Sequence, residues 1–146
     1  MTPTTAIHRL RLVLATNAAF SVVGGVIALA AGSWVSRELG IDHVALTRLL
    51  GAGLVVFGID VALAARTTEQ RLLPAALAVS AADAAWVIGT VIVVAAGVLS
   101  TTGVIVAVVI GLAVADFGTA QAWLRAKATQ PTAGYGQARE RVAVSN

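Results

Sequence analysis

Cysteine is absent from the 146-residue sequence, which excludes disulfide bonds, thiolate-ligated metal sites and thiol redox chemistry. Charged residues are scarce. They make up 12% of the chain, about half of the roughly 25% that is usual in soluble domains. Aromatic residues contribute only 5%, whereas hydrophobic residues contribute 58%. So few charges make a water-facing surface hard to build, and the abundance of alanine, valine, leucine and glycine favours closely packed helices.

Motifs of common catalytic and binding sites are also missing. The sequence has no phosphate-binding glycine loop, no zinc-ligand spacing and no nucleophile elbow. His8 and His43 lie outside the apolar segments and on opposite sides of them, so they cannot ligate a haem together. Basic residues flank the apolar segments and form no patch, which gives nucleic-acid binding no support. We therefore expect no catalytic residue, metal site, cofactor or nucleic-acid partner, and an enzyme is the least favoured class.

Four long apolar segments are present instead. Each contains about twenty residues or more, enough to cross a bilayer core of about 30 Å as a helix. Strand-like alternation is absent, and Pro74 is expected in the first turn of the third segment, where proline is tolerated. The sequence predicts an all-α, integral membrane four-helix bundle in residues 1–127 and a flexible cytoplasmic tail in 128–146. The predicted spans are about 12–31, 44–65, 72–99 and 104–124.

Basic residues are distributed unevenly around these spans. Only Arg37 and Arg48 lie on the side opposite the two termini. Because cytoplasmic loops are enriched in lysine and arginine, the distribution predicts a bacterial cytoplasmic (inner) membrane protein with both termini in the cytoplasm. Between spans one and two, residues 32–43 mix apolar and charged side chains, which predicts a short amphipathic helix in the interface. The basic residues on the terminal side are Arg9, Arg11, Arg66, Arg71, Arg125, Lys127, Arg139 and Arg141.

The first span has a second interpretation. Arg9 and Arg11 precede an apolar run that ends in Ala28-Leu29-Ala30, the pattern of a signal peptide with a small-x-small cleavage site. The run is longer than a usual signal-peptide core, and Asn17 interrupts it. An uncleaved first span is therefore favoured, and cleavage is the alternative.

A weak internal repeat relates the two halves of the chain. Span one aligns with span three at a constant offset, and span two aligns with span four at a slightly smaller one. The Phe-Gly pair at 57–58 matches the pair at 117–118, which is rarer than an alanine match. One interpretation is two tandem helical hairpins related by an axis along the membrane normal. The other is that helices rich in alanine and glycine align by chance.

Three aspartates lie inside the spans at similar depths. Asp60 lies about 9 Å from Arg66 along its helix, and Asp116 lies about 13 Å from Arg125. Asp83 is also placed between the midplane and the cytoplasmic side, and Asn17 of span one lies at a similar level. A charge at the bilayer centre costs at least ~2.5 kcal/mol, so one shared polar site is a simpler explanation than three accidents. The candidate intramembrane polar site is Asp83, Asp60, Asp116, Asn17 and Trp86.

These groups allow more than one interpretation. The aspartates can be hydrated, can pair with arginines at the span ends, or can hydrogen-bond between helices in the protonated form. Alternatively they line a site for a proton, a cation or a ligand with a polar head. In that interpretation Asp83 exchanges the proton, and Trp86 donates its indole N–H to a carboxylate.

The chain resembles small four-span inner-membrane proteins of bacteria. The resemblance rests on the segments Asn-Ala-Ala-Phe-Ser (17–21), Leu-Gly-Ala-Gly-Leu-Val-Val-Phe-Gly (50–58), Asp-Ala-Ala-Trp-Val-Ile-Gly-Thr (83–90) and Phe-Gly-Thr-Ala-Gln-Ala (117–122). The bias towards alanine, valine, glycine and arginine is similar to that of actinobacterial chains. The resemblance covers most of residues 9–127 and implies an architecture rather than an activity. Small multidrug transporters have a similar length, but this chain lacks their glutamate in span one.

Two functional hypotheses follow. The first is a structural or accessory membrane protein that acts through helix packing with itself, as a homo-oligomer, or with a larger membrane complex. Small residues at four-residue spacing, such as Gly103, Ala107, Gly111 and Ala115 in span four, support it. The alternative is a small transporter-like protein whose intramembrane carboxylates handle a proton, a cation or a polar solute.

Overall fold

The computed structural model of the chain describes residues 1–130, and within them the fold is entirely helical. Four of the five helices are long and apolar enough to cross a membrane. The predicted all-α helical bundle is therefore confirmed, and its long apolar helices are those of a multi-pass membrane protein. Most of the predicted flexible tail, residues 131–146, lies outside the described residues. The helices are α1 (Pro3–Ala30), α2 (Gly32–Leu39), α3 (Val44–Ala65), α4 (Glu69–Ala95) and α5 (Thr101–Ala128).

The ends of the helices follow local capping signals more than the limits of the apolar segments. Helix α1 begins nine residues before the predicted span because Thr2 accepts a hydrogen bond from the Thr5 N–H and Pro3 occupies the first turn. Helix α5 begins at Thr101 because the Ser100 side chain accepts a hydrogen bond from the Gly103 N–H. A short helix is present within residues 32–43, as predicted: α2 ends at Leu39, and its C-cap is Gly40 with a φ of 75°.

Helix α4 differs from the prediction at both ends. It begins at Glu69, so Pro74 lies in the helix interior and not in the first turn. The reason is the backbone carbonyl of Thr68, which accepts hydrogen bonds from the N–H groups of Arg71 and Leu72 and so starts the helix earlier. At the other end the helix stops at Ala95, and the apolar segment continues into a turn in which Gly97 has a φ of 68°.

The four long helices form two hairpins, α1 with α3 and α4 with α5, and the hairpins meet mainly where α1 packs on α5.

The two sides of the bundle are named by the chain segments that lie there. The name "near side" is used for the side of the bundle with the N-terminus of α1 and the α3–α4 connection (66–68). The name "far side" is used for the side with α2 and the α4–α5 connection (96–100). A buried apolar cluster joins all four long helices in the near half, and its members are Leu10, Leu14, Ala18, Val61, Ala65, Leu72, Ala76, Val79 and Leu124.

Glycines allow the helices of the first hairpin to touch. A Cβ added to Gly51 would lie 2.8 Å from the Gly25 carbonyl oxygen, and one added to Gly58 would lie 2.8 Å from the Ala18 carbonyl oxygen. No side chain fits at such distances, so the backbones of α1 and α3 are in direct contact.

The second hairpin uses the equivalent positions of the repeat. Gly111, the partner of Gly51 in the alignment, faces Thr90, and Gly118, the partner of Gly58, faces Asp83. Thr90 and Asp83 are in turn equivalent to Gly25 and Ala18 of α1. The repeat therefore corresponds to two hairpins packed with the same register, and Asp83 stands where the first hairpin has a buried alanine.

Hydrogen bonds between different parts of the chain stabilise both sides of the bundle. On the near side, the Arg11 guanidinium donates to the carbonyl oxygens of Ala65 (2.6 Å) and Thr67 (2.7 Å). The Ala65 carbonyl belongs to the last residue of α3, where backbone acceptors lack partners within the helix, and the Thr67 carbonyl belongs to the α3–α4 connection. On the far side, the Ser100 N–H donates to the Leu39 carbonyl oxygen at the end of α2 (3.0 Å). This second contact joins the loops of the two hairpins.

Candidate functional site

Asp83 of α4 is the buried carboxylate of the described bundle, with 2% of its surface exposed. The Asn17 amide of α1 donates to both carboxylate oxygens, at 3.2 Å to Oδ1 and 2.9 Å to Oδ2. The Gln121 amide of α5 donates to Oδ2 at 3.0 Å. Asp83 therefore connects three helices and joins α1 to the second hairpin.

Two hydroxyl groups complete this network. The Ser21 Oγ lies 3.5 Å from the Asn17 Oδ1, and the Ser80 Oγ lies 3.4 Å from the Gln121 Oε1. Each hydroxyl donates to an amide oxygen, and each amide nitrogen donates to the carboxylate. Hydrogen bonds thus run from the hydroxyls through the amides to Asp83. The name "polar cluster" is used for these residues, which are Asn17, Ser21, Ser80, Asp83 and Gln121.

Helical spacing explains how the sequence builds the polar cluster. Asn17 and Ser21 are four residues apart on α1, and Ser80 and Asp83 are three apart on α4, so each pair shares one helix face. Gly118 leaves room beside Asp83, since a Cβ added there would already be in van der Waals contact with the Asp83 Cβ at 3.4 Å. Close packing of α4 on α5 brings the amide of Gln121 within reach.

The polar cluster borders the apolar cluster of the near half. One turn towards the near side on the same three helices are Leu14, Val79 and Leu124, all buried. These side chains separate the carboxylate from the near side. One turn towards the far side on α4 is Trp86, which is half-buried.

Trp86 lies beside the polar cluster without joining its hydrogen bonds. Its Nε1 is buried and has no hydrogen-bond partner among the described residues. Its carbonyl oxygen accepts from the Thr90 hydroxyl at 2.9 Å, one turn further on. The expected bond from the indole N–H to a carboxylate is therefore not formed, and the hydrogen bonds to Asp83 come from the amides of Asn17 and Gln121 instead.

Asp60 and Asp116 lie apart from this network, on the exposed surface of the bundle. Asp60 lies on α3 between Val56 and Leu63, which are 59% and 58% exposed. Asp116 lies on α5 next to Leu112, which is 67% exposed. The structure therefore brings together Asn17 and Asp83, places Trp86 beside them, and leaves Asp60 and Asp116 on outward faces of two other helices.

Gln121 is the amide of the polar cluster that the predicted site did not include, and the hydroxyls of Ser21 and Ser80 are its other additions. Gln121 is fully buried, yet it lies near the end of the fourth span, where a glutamine is unremarkable in a sequence. The repeat could have indicated its burial, because Gln121 aligns with the apolar residue Val61. Both residues occupy core positions of their hairpins. No group of three or more His, Asp or Glu residues that could hold a metal ion is present in residues 1–130.

Comparison of the chain with family models, with curated proteins and with solved structures gave no match. The interior offers one carboxylate with neutral donors, and the surface offers two carboxylates among apolar side chains.

Proposed function

We propose that the protein is a structural or accessory membrane protein that acts through helix packing with itself or with a larger membrane complex. The proposed location is the bacterial cytoplasmic membrane, with the near side facing the cytoplasm. The uneven distribution of basic residues supports this orientation, because Arg37 and Arg48 belong to the far side and the other basic residues of the described chain belong to the near side.

The observation that carries the proposal is the exposure of Asp60 and Asp116 within membrane-spanning helices. A carboxylate at membrane depth costs at least ~2.5 kcal/mol, and such residues almost always face protein or water. The neighbouring Thr119 gives Asp116 no donor, since its hydroxyl bonds to the carbonyl oxygens of Ala115 and Asp116. A donor on another protein chain would relieve this cost, so the faces of α3 and α5 that carry the two aspartates are the proposed contact surfaces.

The interior of the bundle is consistent with a scaffold. The amides of Asn17 and Gln121 and the hydroxyls of Ser21 and Ser80 are bonded to one another or to Asp83. A satisfied buried network holds helices in one arrangement. A bundle that is held in this way presents its outward faces in a constant geometry.

Self-association in liposomes tests the proposal. Full-length protein labelled with a donor or an acceptor dye is reconstituted at increasing lipid dilution, and energy transfer gives the dimerisation constant. Polar contacts between membrane helices are worth about 0.6 to about 1.7 kcal/mol, so Asp60→Asn or Asp116→Asn should weaken association about threefold to about fifteenfold. Asp42→Asn is the matched control, because Asp42 is exposed and lies outside the helices.

Association with a different chain is tested in native membranes. A photoreactive residue at Leu112 should form a crosslinked complex whose yield Asp116→Asn lowers and Asp42→Asn leaves unchanged. If neither self-association nor a crosslinked complex depends on Asp60 or Asp116, the proposal fails.

The second candidate function is a small transporter-like protein that handles a proton, a cation or a polar solute. The observation that favours it is the Asp83 carboxylate, which is buried at membrane depth and bonded only to neutral groups. Proton-linked uptake into proteoliposomes that is lost in Asp83→Asn but kept in Asp116→Asn would support this function. Flux that is equal in both variants and the wild type would exclude Asp83 as its site.

A further inference from the structure

The Asp83 carboxylate lacks a balancing cation within the polar cluster. On α1 the nearest basic side chain is Arg11, which is six residues from Asn17 and donates to Ala65 and Thr67. On α5 it is Arg125, one turn beyond Gln121. The other carboxylates of the packed helices, Asp60 on α3 and Asp116 on α5, lie on outward faces.

The two oxygens of Asp83 differ in their hydrogen bonds. Oδ2 accepts two bonds, from Asn17 at 2.9 Å and from Gln121 at 3.0 Å. Oδ1 accepts one, from Asn17 at 3.2 Å. Oδ1 is therefore the oxygen with room for a hydrogen atom, and it faces the Asn17 amide.

We propose that Asp83 reversibly binds a proton on Oδ1 and that Asn17 and Ser21 rearrange to accept it without movement of the helices. The Asn17 amide turns over and the Asp83 carboxyl group rotates slightly, so that the Asn17 Oδ1 faces the new O–H on Asp83 Oδ1 and accepts from it, while the Asn17 Nδ2 donates to the Ser21 Oγ. The Ser21 hydroxyl then donates to the Asn17 backbone carbonyl oxygen, four residues earlier on α1, a bond that serines in helices commonly make. Gln121 continues to donate to Oδ2, and Ser80 continues to donate to Gln121.

The near-identical shape of the two ends of an amide makes this rearrangement possible. The oxygen and nitrogen of an asparagine side chain are nearly equal in size, and only their hydrogen bonds distinguish them. The turned amide therefore fits the space of the original one. In both forms each amide and hydroxyl of the polar cluster has a partner, as buried polar groups require.

The short distances in the polar cluster favour a proton over a metal cation. A metal ion needs several oxygen ligands around it, whereas here two amide nitrogens lie 2.9 and 3.0 Å from the carboxylate. Both amides would have to turn and the helices would have to separate. A proton needs only local rotations of the Asn17 amide, the Ser21 hydroxyl and the Asp83 carboxyl group. This inference does not depend on the association proposed above.

Proton binding would also change the contact between the hairpins. Hydrogen bonds to an ionised carboxylate are roughly twice as strong as those between neutral groups. The neutral form of Asp83 would therefore hold α1 less tightly to α4 than the ionised form does. A proton bound at this position would loosen the joint between the two hairpins.

The sequence permits a test that leaves the polar cluster intact. The aspartates are Asp42, Asp60, Asp83 and Asp116, and the asparagines are Asn17 and Asn146. The triple variant Asp42→Ser, Asp60→Ser, Asp116→Ser keeps Asp83 as its single aspartate. Labelling with ¹³C-carboxyl aspartate and ¹⁵N-amide asparagine then reports on Asp83 and Asn17 by solid-state NMR in liposomes, and Asn146 serves as the reference signal.

We expect the Asp83 carboxyl signal to change from ionised to neutral as the pH falls, in a bundle that stays folded. The Asn17 side-chain signal should change at the same pH, while a separately labelled Gln121 amide stays nearly constant. A carboxyl signal that stays ionised until the helices unfold would overturn the proposal. So would a titration in which the amide of Gln121 responds and that of Asn17 does not.

Discussion

At the scale of single residues, Asp83 holds together side chains that are distant in sequence. Its partners Asn17 and Gln121 lie 66 and 38 residues away, and both are buried. Replacement of the carboxylate by an apolar group leaves two buried amide donors without an acceptor. Each unsatisfied donor costs about 1–3 kcal/mol.

We predict that Asp83→Leu destabilises the folded bundle by about 2–6 kcal/mol, because the amides of Asn17 and Gln121 lose their shared acceptor and each unsatisfied donor costs about 1–3 kcal/mol. The free energy of unfolding is measured by titration with a denaturing detergent. The double variant with Asn17→Leu should be less destabilised than the sum of the single variants, with a coupling of about 0.6 to about 1.7 kcal/mol.

Asp116→Leu is the matched control for this cycle, since Asp116 lies at a similar depth but on the exposed surface. It should leave the free energy of unfolding unchanged or raise it. Equal destabilisation by Asp83→Leu and Asp116→Leu would contradict the role given to the polar cluster.

The three aspartates show that the sequence of a membrane helix does not indicate which of its faces is buried. The depth of a residue follows from the rise of about 1.5 Å per residue, and it is similar for Asp60, Asp83 and Asp116. Whether a side chain points into the bundle depends on which face of its helix is buried. In a soluble protein the buried face can be recognised because the opposite face is polar. Here all faces are apolar, because the outward faces contact lipid. The sequence therefore predicts a depth for each aspartate, whereas the grouping of Asp83 with Gln121 could not be predicted from it.

At the scale of helices, glycine position determines how closely two helices approach. Gly24 and Gly25 are neighbours in α1 with opposite surroundings. A Cβ on Gly25 would lie 2.6 Å from the Gly51 carbonyl oxygen, whereas a Cβ on Gly24 would have no atom within 4 Å. The pair separates the effect of packing from that of helix propensity.

Gly25→Ala should destabilise the bundle by about 1–3 kcal/mol, because the methyl group forces α1 and α3 apart. Gly24→Ala should be neutral or stabilising by up to about 1 kcal/mol, since alanine favours the helix over glycine. Thermal unfolding in detergent, followed by circular dichroism, measures both changes. Equal melting temperatures for the two variants would disprove direct contact between the α1 and α3 backbones.

Helix existence was predictable and helix ends were less so. The bounds of α3, 44–65, agree with the predicted span. In α1 and α4 the helix extends beyond the apolar segment towards the near side, with Thr2 and Thr68 as the N-cap residues among polar neighbours. Of these two residues, only Thr2 makes a capping bond with its side chain. The hydrophobic segment indicates what crosses the membrane, whereas caps determine where the helix begins.

At the scale of the whole molecule, the two hairpins are joined at three levels. Ser100 contacts the end of α2 on the far side, Asp83 bonds to Asn17 within the bundle, and the apolar cluster fills the near half. The loops on the two sides differ in charge, and this difference carries the proposed orientation.

The absence of cysteine makes the orientation directly measurable. Ser33 is exposed in α2 on the far side, and Gln70 is exposed at the start of α4 on the near side. We predict that Ser33→Cys reacts with a membrane-impermeant maleimide in intact spheroplasts, whereas Gln70→Cys reacts only after the membrane is permeabilised. The opposite labelling pattern would reverse the proposed orientation.

The spacing of the Asp83 partners has a consequence for synthesis of the chain. Asn17 leaves the ribosome before Asp83, and Gln121 leaves it afterwards. When α4 enters the bilayer during translation, Asn17 is therefore the amide already in place to receive its carboxylate. In arrested nascent chains in which a long polar spacer replaces α5, so that α4 has left the ribosome, Asn17→Leu should lower the inserted fraction of α4, measured by labelling a cysteine placed at Ser100. The first helix would then act as an insertion aid for the third span, and Gln121 would secure the carboxylate only when the last helix arrives.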